Sequence, residues 1–183
     1  IQAAKLSQLC DDFFEESLEL NPIQATSIGD PRYNHLLPNF LSAEFRAAGE
    51  RFDRRWLAQI QKLDRSLLTG QDRLSYDIFV YNRETSLEGN RFPNHLIPIN
   101  QMFGLHTFFA QLGSGGSIQP FKAEQDYRDF LERIAGFEVL MDQAIANLRD
   151  GIEAGVVQPR VLLEKALPPL EAHVVEDVPE SVF

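Results

Sequence analysis

Reactive side chains are scarce in this sequence. Its 183 residues include one cysteine, Cys10, and four histidines, His35, His95, His106 and His173. A single thiol excludes an intrachain disulfide framework and a cysteine-based zinc site. No two histidines share a helical turn and no His-Glu-x-x-His is present, so the familiar zinc-hydrolase spacing is missing from these residues. Positive charge is thin as well. Seventeen Lys and Arg against 27 Asp and Glu give a formal net charge of −10, with no basic block. Nucleic acid and anionic membrane, which need concentrated positive charge, are therefore poor partners. No apolar run approaches the ~18–20 residues that a membrane-spanning helix requires. Period-two alternation is nowhere long enough to predict a strand. No repeat period supports a scaffold of stacked units.

What is present is material for a core. Hydrophobic residues make up 44% of the chain and include 14 Phe, which argues against disorder and for one domain or a large piece of one, spanning residues 1–183. Cys10 is not a lipid anchor, because Ser-Gln-Leu before it lacks a small residue at the last position and no apolar signal core precedes it. It falls on an apolar helix face and is expected in the core.

The helical pattern begins at once. Leu6, Leu9, Cys10, Phe13, Ser17 and Leu20 predict a helix over 3–20, stopped at Asn21-Pro22. Asp11, Asp12, Glu15, Glu16 and Glu19 form its expected solvent face. Residues 21–41 lose the period and carry the turn signals Gly29-Asp30-Pro31 and Leu37-Pro38-Asn39, so one long irregular loop is expected there. Phe45, Ala48, Phe52, Trp56, Ile60, Leu63 and Leu67 predict a second helix, opened by Ser42 and closed by Gly70. A third, over 72–88, is expected to face inward through Leu74, Ile78, Tyr81 and Thr85, with Tyr76, Phe79 and Val80 broadening the apolar surface to more than one side. A short Phe-rich helix over 103–112 follows. Gly113-Ser-Gly-Gly-Ser117 then reads as a linker, since it lacks the closing Lys of a phosphate loop and the Gly-x-Ser-x-Gly of a nucleophile elbow. The longest stripe runs through Tyr127, Phe130, Leu131, Ile134, Phe137, Leu140, Met141, Ile145, Leu148 and Ile152, with a bend or a break into two helices expected at Gly136. A last helical segment starts at Pro159 and is expected to end at Leu167, before Pro168-Pro169. The fold predicted is all-α: an array of antiparallel amphipathic helices with one long irregular loop near residues 21–41.

No self-sufficient catalytic constellation emerges. His106 in Leu-His-Thr-Phe-Phe reads as a hydrogen-bonded helix histidine. His35 lies near Asp30 and Asn34 in the irregular loop. The amide pair Asn100 and Gln101, in Pro98-Ile-Asn-Gln-Met-Phe-Gly104, sits between two elements and is suited to holding an extended peptide backbone or to bracing the loop.

Several of these pieces occur together in one order: Pro22-x-x-Ala25-Thr26-x-x-Gly29-Asp30 with Arg32-Tyr33-Asn34, Asp72-Arg73-Leu74-Ser75-Tyr76-Asp77, Pro98-Ile99-Asn100-Gln101, Tyr127 with Leu131-Glu132-Arg133, Gly151-x-x-x-Gly155 with Gln158-Pro159-Arg160, and Glu180-Ser181-Val182-Phe183. The series resembles a bacterial family known as domain of unknown function 885. The resemblance implies a helical protein similar to zinc-dependent peptidases, whose His-Glu-x-x-Pro-Gly-His helix lies beyond residue 183. It implies no catalytic or metal residue within this chain, only Asn100 and Gln101 as substrate-facing.

On that reading the chain is the N-terminal, non-catalytic part of a larger protein. It holds no zinc of its own, and its partners are the C-terminal half of the same chain and a peptide substrate. The alternative is a free-standing helical binding module, monomeric or homodimeric. The apolar tail residues Val174, Val175, Val178, Val182 and Phe183 favour the fragment. The compartment stays open between cytoplasmic and exported, a signal peptide having been removed in the latter case.

Overall fold

A computed structural model describes residues 2–100, 104–172 and 174–176. The fold is all-α. Among the described residues there are seven α-helices and three short 3-10 turns, and no strand. The helices are α1 (Gln2–Leu20), α2 (Pro22–Ser27), α3 (Ala43–Ile60), α4 (Gly70–Gly89), α5 (Leu105–Gly113), α6 (Glu124–Ala154) and α7 (Arg160–Glu171). The chain divides into two compact units, one of Ile1–Asn21 with Ala43–Phe92 and one of Pro22–Ser42 with Pro93–Phe183.

The first unit contains α1, α3 and α4. Its core joins Leu6, Ile60, Leu68 and Tyr76, with Leu9, Cys10, Leu57, Leu63, Phe79 and Val80 packed against them. Beside it, Phe13 meets the rings of Phe52, Trp56 and Phe79 at centroid distances of 5.3, 5.6 and 4.8 Å. Such tilted and edge-on contacts add to the burial of the rings themselves.

Only part of the expected inward surface of α4 is turned inward. Leu74, Ile78, Tyr81 and Thr85 are exposed, while Tyr76 is buried and Phe79 and Val80 pack on the core. Both faces of this helix carry apolar residues at helical spacing, and the aromatic one is matched to Phe13. The second helix also stops earlier than expected. α3 ends at Ile60, because the Asp64 carboxylate accepts from Ser66 N at 2.9 Å and from Ser66 Oγ at 2.6 Å and so nucleates a separate 3-10 turn, Arg65–Leu67. Gly70, at φ +52°, opens α4 and does not close α3.

In the second unit, α6 runs for 31 residues without a break. Gly136 does not split it into two helices. A Cβ there would lie 2.8 Å from the Leu37 carbonyl oxygen, so the glycine marks where the connecting segment presses onto the helix. The Asp126 carboxylate secures the start of α6 by accepting from Lys122 N and Ala123 N at 2.8 and 2.9 Å. Gly155, at φ +71°, ends it in the left-handed conformation.

The core of this unit joins Leu37, Leu41, Phe109, Leu112, Leu140 and Ala144. Phe109 stacks on Phe137 at 4.1 Å. Pro168 and Pro169 fail to stop α7, which continues to Glu171 with Ala172 N donating to Pro168 O at 3.0 Å. Proline's fixed φ is compatible with helix once its missing donor is accepted.

The stretch expected as irregular between residues 21 and 41 contains α2 and a 3-10 turn, Pro31–Tyr33. Pro22 opens α2, a position where the absent N–H costs nothing. Asp30 caps the turn by accepting from Arg32 N at 3.0 Å.

Candidate functional site

Of the amide pair expected to face substrate, Asn100 is half-buried next to the buried Ile99, just past the 3-10 turn Asn94–Leu96. Gln101 lies outside the described residues. His35 and His95 are half-buried, and His106 is buried on α5. No group of three His, Cys, Asp or Glu side chains among the described residues is arranged to hold a metal ion. A zinc ligand set is therefore not assembled from the described residues.

The most constrained polar constellation lies elsewhere. Arg133, in the first half of α6, has 0% of its surface exposed. Its Nε donates to Leu36 O at 3.1 Å, one Nη donates to the Gln119 side-chain oxygen, and the other donates to Thr26 Oγ1 at 2.7 Å and Tyr33 O at 3.2 Å. Thr26 in turn has Asn34 Oδ1 at 2.8 Å as an acceptor. Thr26, Asn34 and Gln119 are all buried.

Burial pulls the Arg133 pKa down to about 10, and the charge of nearby Asp129 pulls the other way. The guanidinium is still cationic at neutral pH, and neutral acceptors alone surround its hydrogen-bonding edge. Such a group is expensive to bury unless its donors are used, and its forked geometry uses them here.

About three to four turns further along α6 a second set of amides does the same job. Asn39 Nδ2 reaches Gln143 Oε1 at 3.4 Å, Gln143 Nε2 donates to Asn147 Oδ1 at 2.9 Å, and Asn147 Nδ2 donates to Leu41 O at 3.1 Å. Arg133 and Asn147 together hold residues 26–41 along one side of α6. Their arrangement suits fastening, not catalysis. No nucleophile is activated within it, and the buried guanidinium is closed to solvent.

Sequence reading missed Arg133 as a buried residue. It stands between Leu131 and Ile134, which belong to the apolar stripe, yet the helix buries Asp129, Arg133, Leu140, Ala144, Asn147 and Gly151. A second line at 129, 133, 136, 140, 144, 147 and 151, spaced by three and four and small or polar except for Leu140, was the available signal.

The first unit has its own polar features. Arg83 pairs with the buried Asp53, which also accepts from Ser86 Oγ at 2.6 Å, and the Arg83 guanidinium lies 4.7 Å from the Phe13 ring centroid. Glu16, expected on a solvated acidic face, is instead held by Arg55 and by Trp56 Nε1 at 3.1 Å. These three residues line an open cleft of about 530 Å³ together with Lys5, Gln8, Leu9, Asp12 and Gln59.

The polar interior of α6 and the segment fastened to it define an all-α protein whose distinctive residues build its scaffold. Over residues 22–182 the chain matches the family described as "Bacterial protein of unknown function (DUF885)", and it belongs to that family. No curated protein and no solved structure matches it significantly. No helix among the described residues is long and apolar enough to cross a membrane.

Proposed function

We propose that this chain is the N-terminal, non-catalytic helical part of a zinc-dependent peptidase, with the metal-binding motif beyond residue 183. In that protein the remaining C-terminal part supplies the zinc and the reaction chemistry. The helical part forms a wall, with Asn100 and Gln101 toward a peptide substrate.

The observation that supports a wall over a catalytic unit is the use made of the residues carrying the family pattern. Thr26, Tyr33, Asn34 and Arg133 are joined in one buried network, and Tyr76 lies in a core. Asp77 is engaged by Arg65 at 2.5 and 2.6 Å. Gly151 accommodates the carbonyls of Leu96 and Val156, which would lie 2.8 and 2.7 Å from a Cβ. These positions are occupied by architecture.

The test is metal analysis of residues 1–183 after exposure to zinc and desalting, together with a peptidase assay on a longer translation product of the same gene. The reading expects far less than one zinc per short chain and chelator-sensitive cleavage by the long one. One tightly held zinc on the short chain, lost in His35→Ala or His95→Ala, overturns it. So does a long product that cleaves no peptide and holds no zinc.

A free-standing binding module is the second reading, and the cleft bounded by Trp56, Glu16 and Arg55 is what favours it. A gene that ends near residue 183 would select it.

A further inference from the structure

Helix α6 carries two seams. The buried one, through Asp129, Arg133, Gly136, Leu140, Ala144, Asn147 and Gly151, is largely polar or small. The other runs through Tyr127, Leu131, Ile134, Glu138, Met141, Ile145, Leu148 and Ile152, and it is apolar except for Glu138. At 100° per residue it lies about 130° round the helix from the buried one. Its steps are 4, 3, 4, 3, 4, 3 and 4, the heptad spacing by which one helix seats the side chains of another. Tyr127, Leu131, Ile134, Ile145 and Ile152 are each at least 36% exposed, and Leu131 and Ile152 reach 64% and 69%. The seam is about 37 Å long. Scattered apolar residues on a surface need no explanation, but eight consecutive seam positions with one polar exception do.

We propose that this outer seam is a docking site for one amphipathic helix that brings a lysine or arginine to Glu138. The inference stands on the spacing and exposure of α6 and does not depend on the peptidase reading.

Charge selects the occupant. Glu138 occupies the middle of the seam, and a carboxylate closed in between two apolar surfaces requires a cation opposite it. A second copy of this chain supplies the wrong sign. In a parallel pair Glu138 faces its own copy. In an antiparallel pair centred on the seam, Glu138 comes beside Met141 of the partner helix and the two Glu138 side chains are brought near one another. The formal net charge of −10 opposes self-association further. A single charged residue at such a position is also the usual means of fixing register and partner.

The experiment uses two synthetic helices of about four heptads with leucine at the seam positions. They differ only in bearing Lys or Glu opposite Glu138, and each is titrated calorimetrically into the chain. The proposal expects the Lys peptide to bind and the Glu peptide to bind at least about tenfold more weakly. Glu138→Lys should invert that order. Ile145→Glu should abolish binding while leaving the thermal melt unchanged, because Ile145 is exposed. No binding of either peptide, or equal binding of both, overturns the proposal. So does a dimer in sedimentation equilibrium that Ile145→Glu converts to monomer, since the seam would then belong to a second copy.

Discussion

Arg133 Nη2 donates to the Thr26 hydroxyl across 2.7 Å of space and 107 residues of chain. The same guanidinium holds Tyr33, Leu36 and Gln119, so the fold of residues 22–41 depends on a donor contributed by the distant α6. Arg133→Ala should therefore cost on the order of 3 kcal/mol, because it strands buried acceptors as well as losing the bonds. Arg133→Lys keeps the charge but not the fork, and should recover less than half of that. Urea unfolding of the wild type, these two variants and Arg133→Met measures both. Wild-type stability in Arg133→Met would show that the network contributes nothing net.

Two glycines inside helices should respond in opposite directions. Gly136→Ala places a methyl 2.8 Å from Leu37 O and 3.2 Å from Leu37 Cβ, so strain should exceed the gain in helix propensity and leave a loss of about 1 kcal/mol. At Gly49, in α3, a Cβ meets nothing within 4 Å. Gly49→Ala should stabilise by about 0.5–1 kcal/mol. Thermal melts of the pair decide it, and stabilisation by both would mean that the connecting segment does not press on α6.

Acid should loosen this protein through particular carboxylates. Hydrogen bonds from the Ser66 hydroxyl and then the Ser66 amide hold Asp64 below the ordinary carboxylate range, and Arg32 and Arg65 do the same for Asp30 and Asp77. A lowered folded-state pKa means stability that is present above the unfolded value of about 3.9 and is lost as pH falls through the folded value. The urea midpoint should thus drop below about pH 4. Asp64→Asn should make that drop shallower, and equal slopes in the two proteins would exclude the Asp64 cap as a contributor.

Cys10 should be a slow nucleophile. Burial, with a smaller push from Asp11, raises its thiol pKa and so lowers the thiolate fraction at neutral pH. Alkylation by iodoacetamide should run slower than for a free thiol, accelerate with rising pH, and reach the free rate in urea. A native rate equal to that of a small-molecule thiol would place Cys10 in solvent.

Much of the helical content was legible in the periodicity, since Leu6 to Leu20 and Tyr127 to Ile152 can hardly be anything else. Which side faces inward was less so. On α4, Leu74-Ile78-Tyr81 and Tyr76-Phe79-Val80 are both plausible stripes. The choice between them is made by rings from α1 and α3, 60 residues or more away in the case of Phe13 and Phe79.

On α6 the polarity rule itself misled. Arg133 and Asn147 go inside because carbonyls of the connecting segment await them, and a hydrophobic pattern cannot register a distant acceptor. Asn100 is half-buried beside the buried Ile99, and Gln101 falls outside the described residues. The run through Pro168-Pro169 and the early stop of α3 at Ile60 reflect local hydrogen bonding that composition does not reveal.

Gly136 and Gly151 give α6 the character of a ruler. Each lets a backbone carbonyl from another segment, Leu37 O in one case and Leu96 O in the other, lie where a side chain would stand. They are separated by 15 residues, or about 22 Å along the axis. Sliding the helix by one turn would bring Glu132 or Leu140 under the first carbonyl, so neither neighbouring register fits. The two notches thus make the position of this long helix discrete. A homologous sequence that inserted one residue between them would turn one notch by about 100° relative to the other, and so could keep only one of the two contacts unaltered.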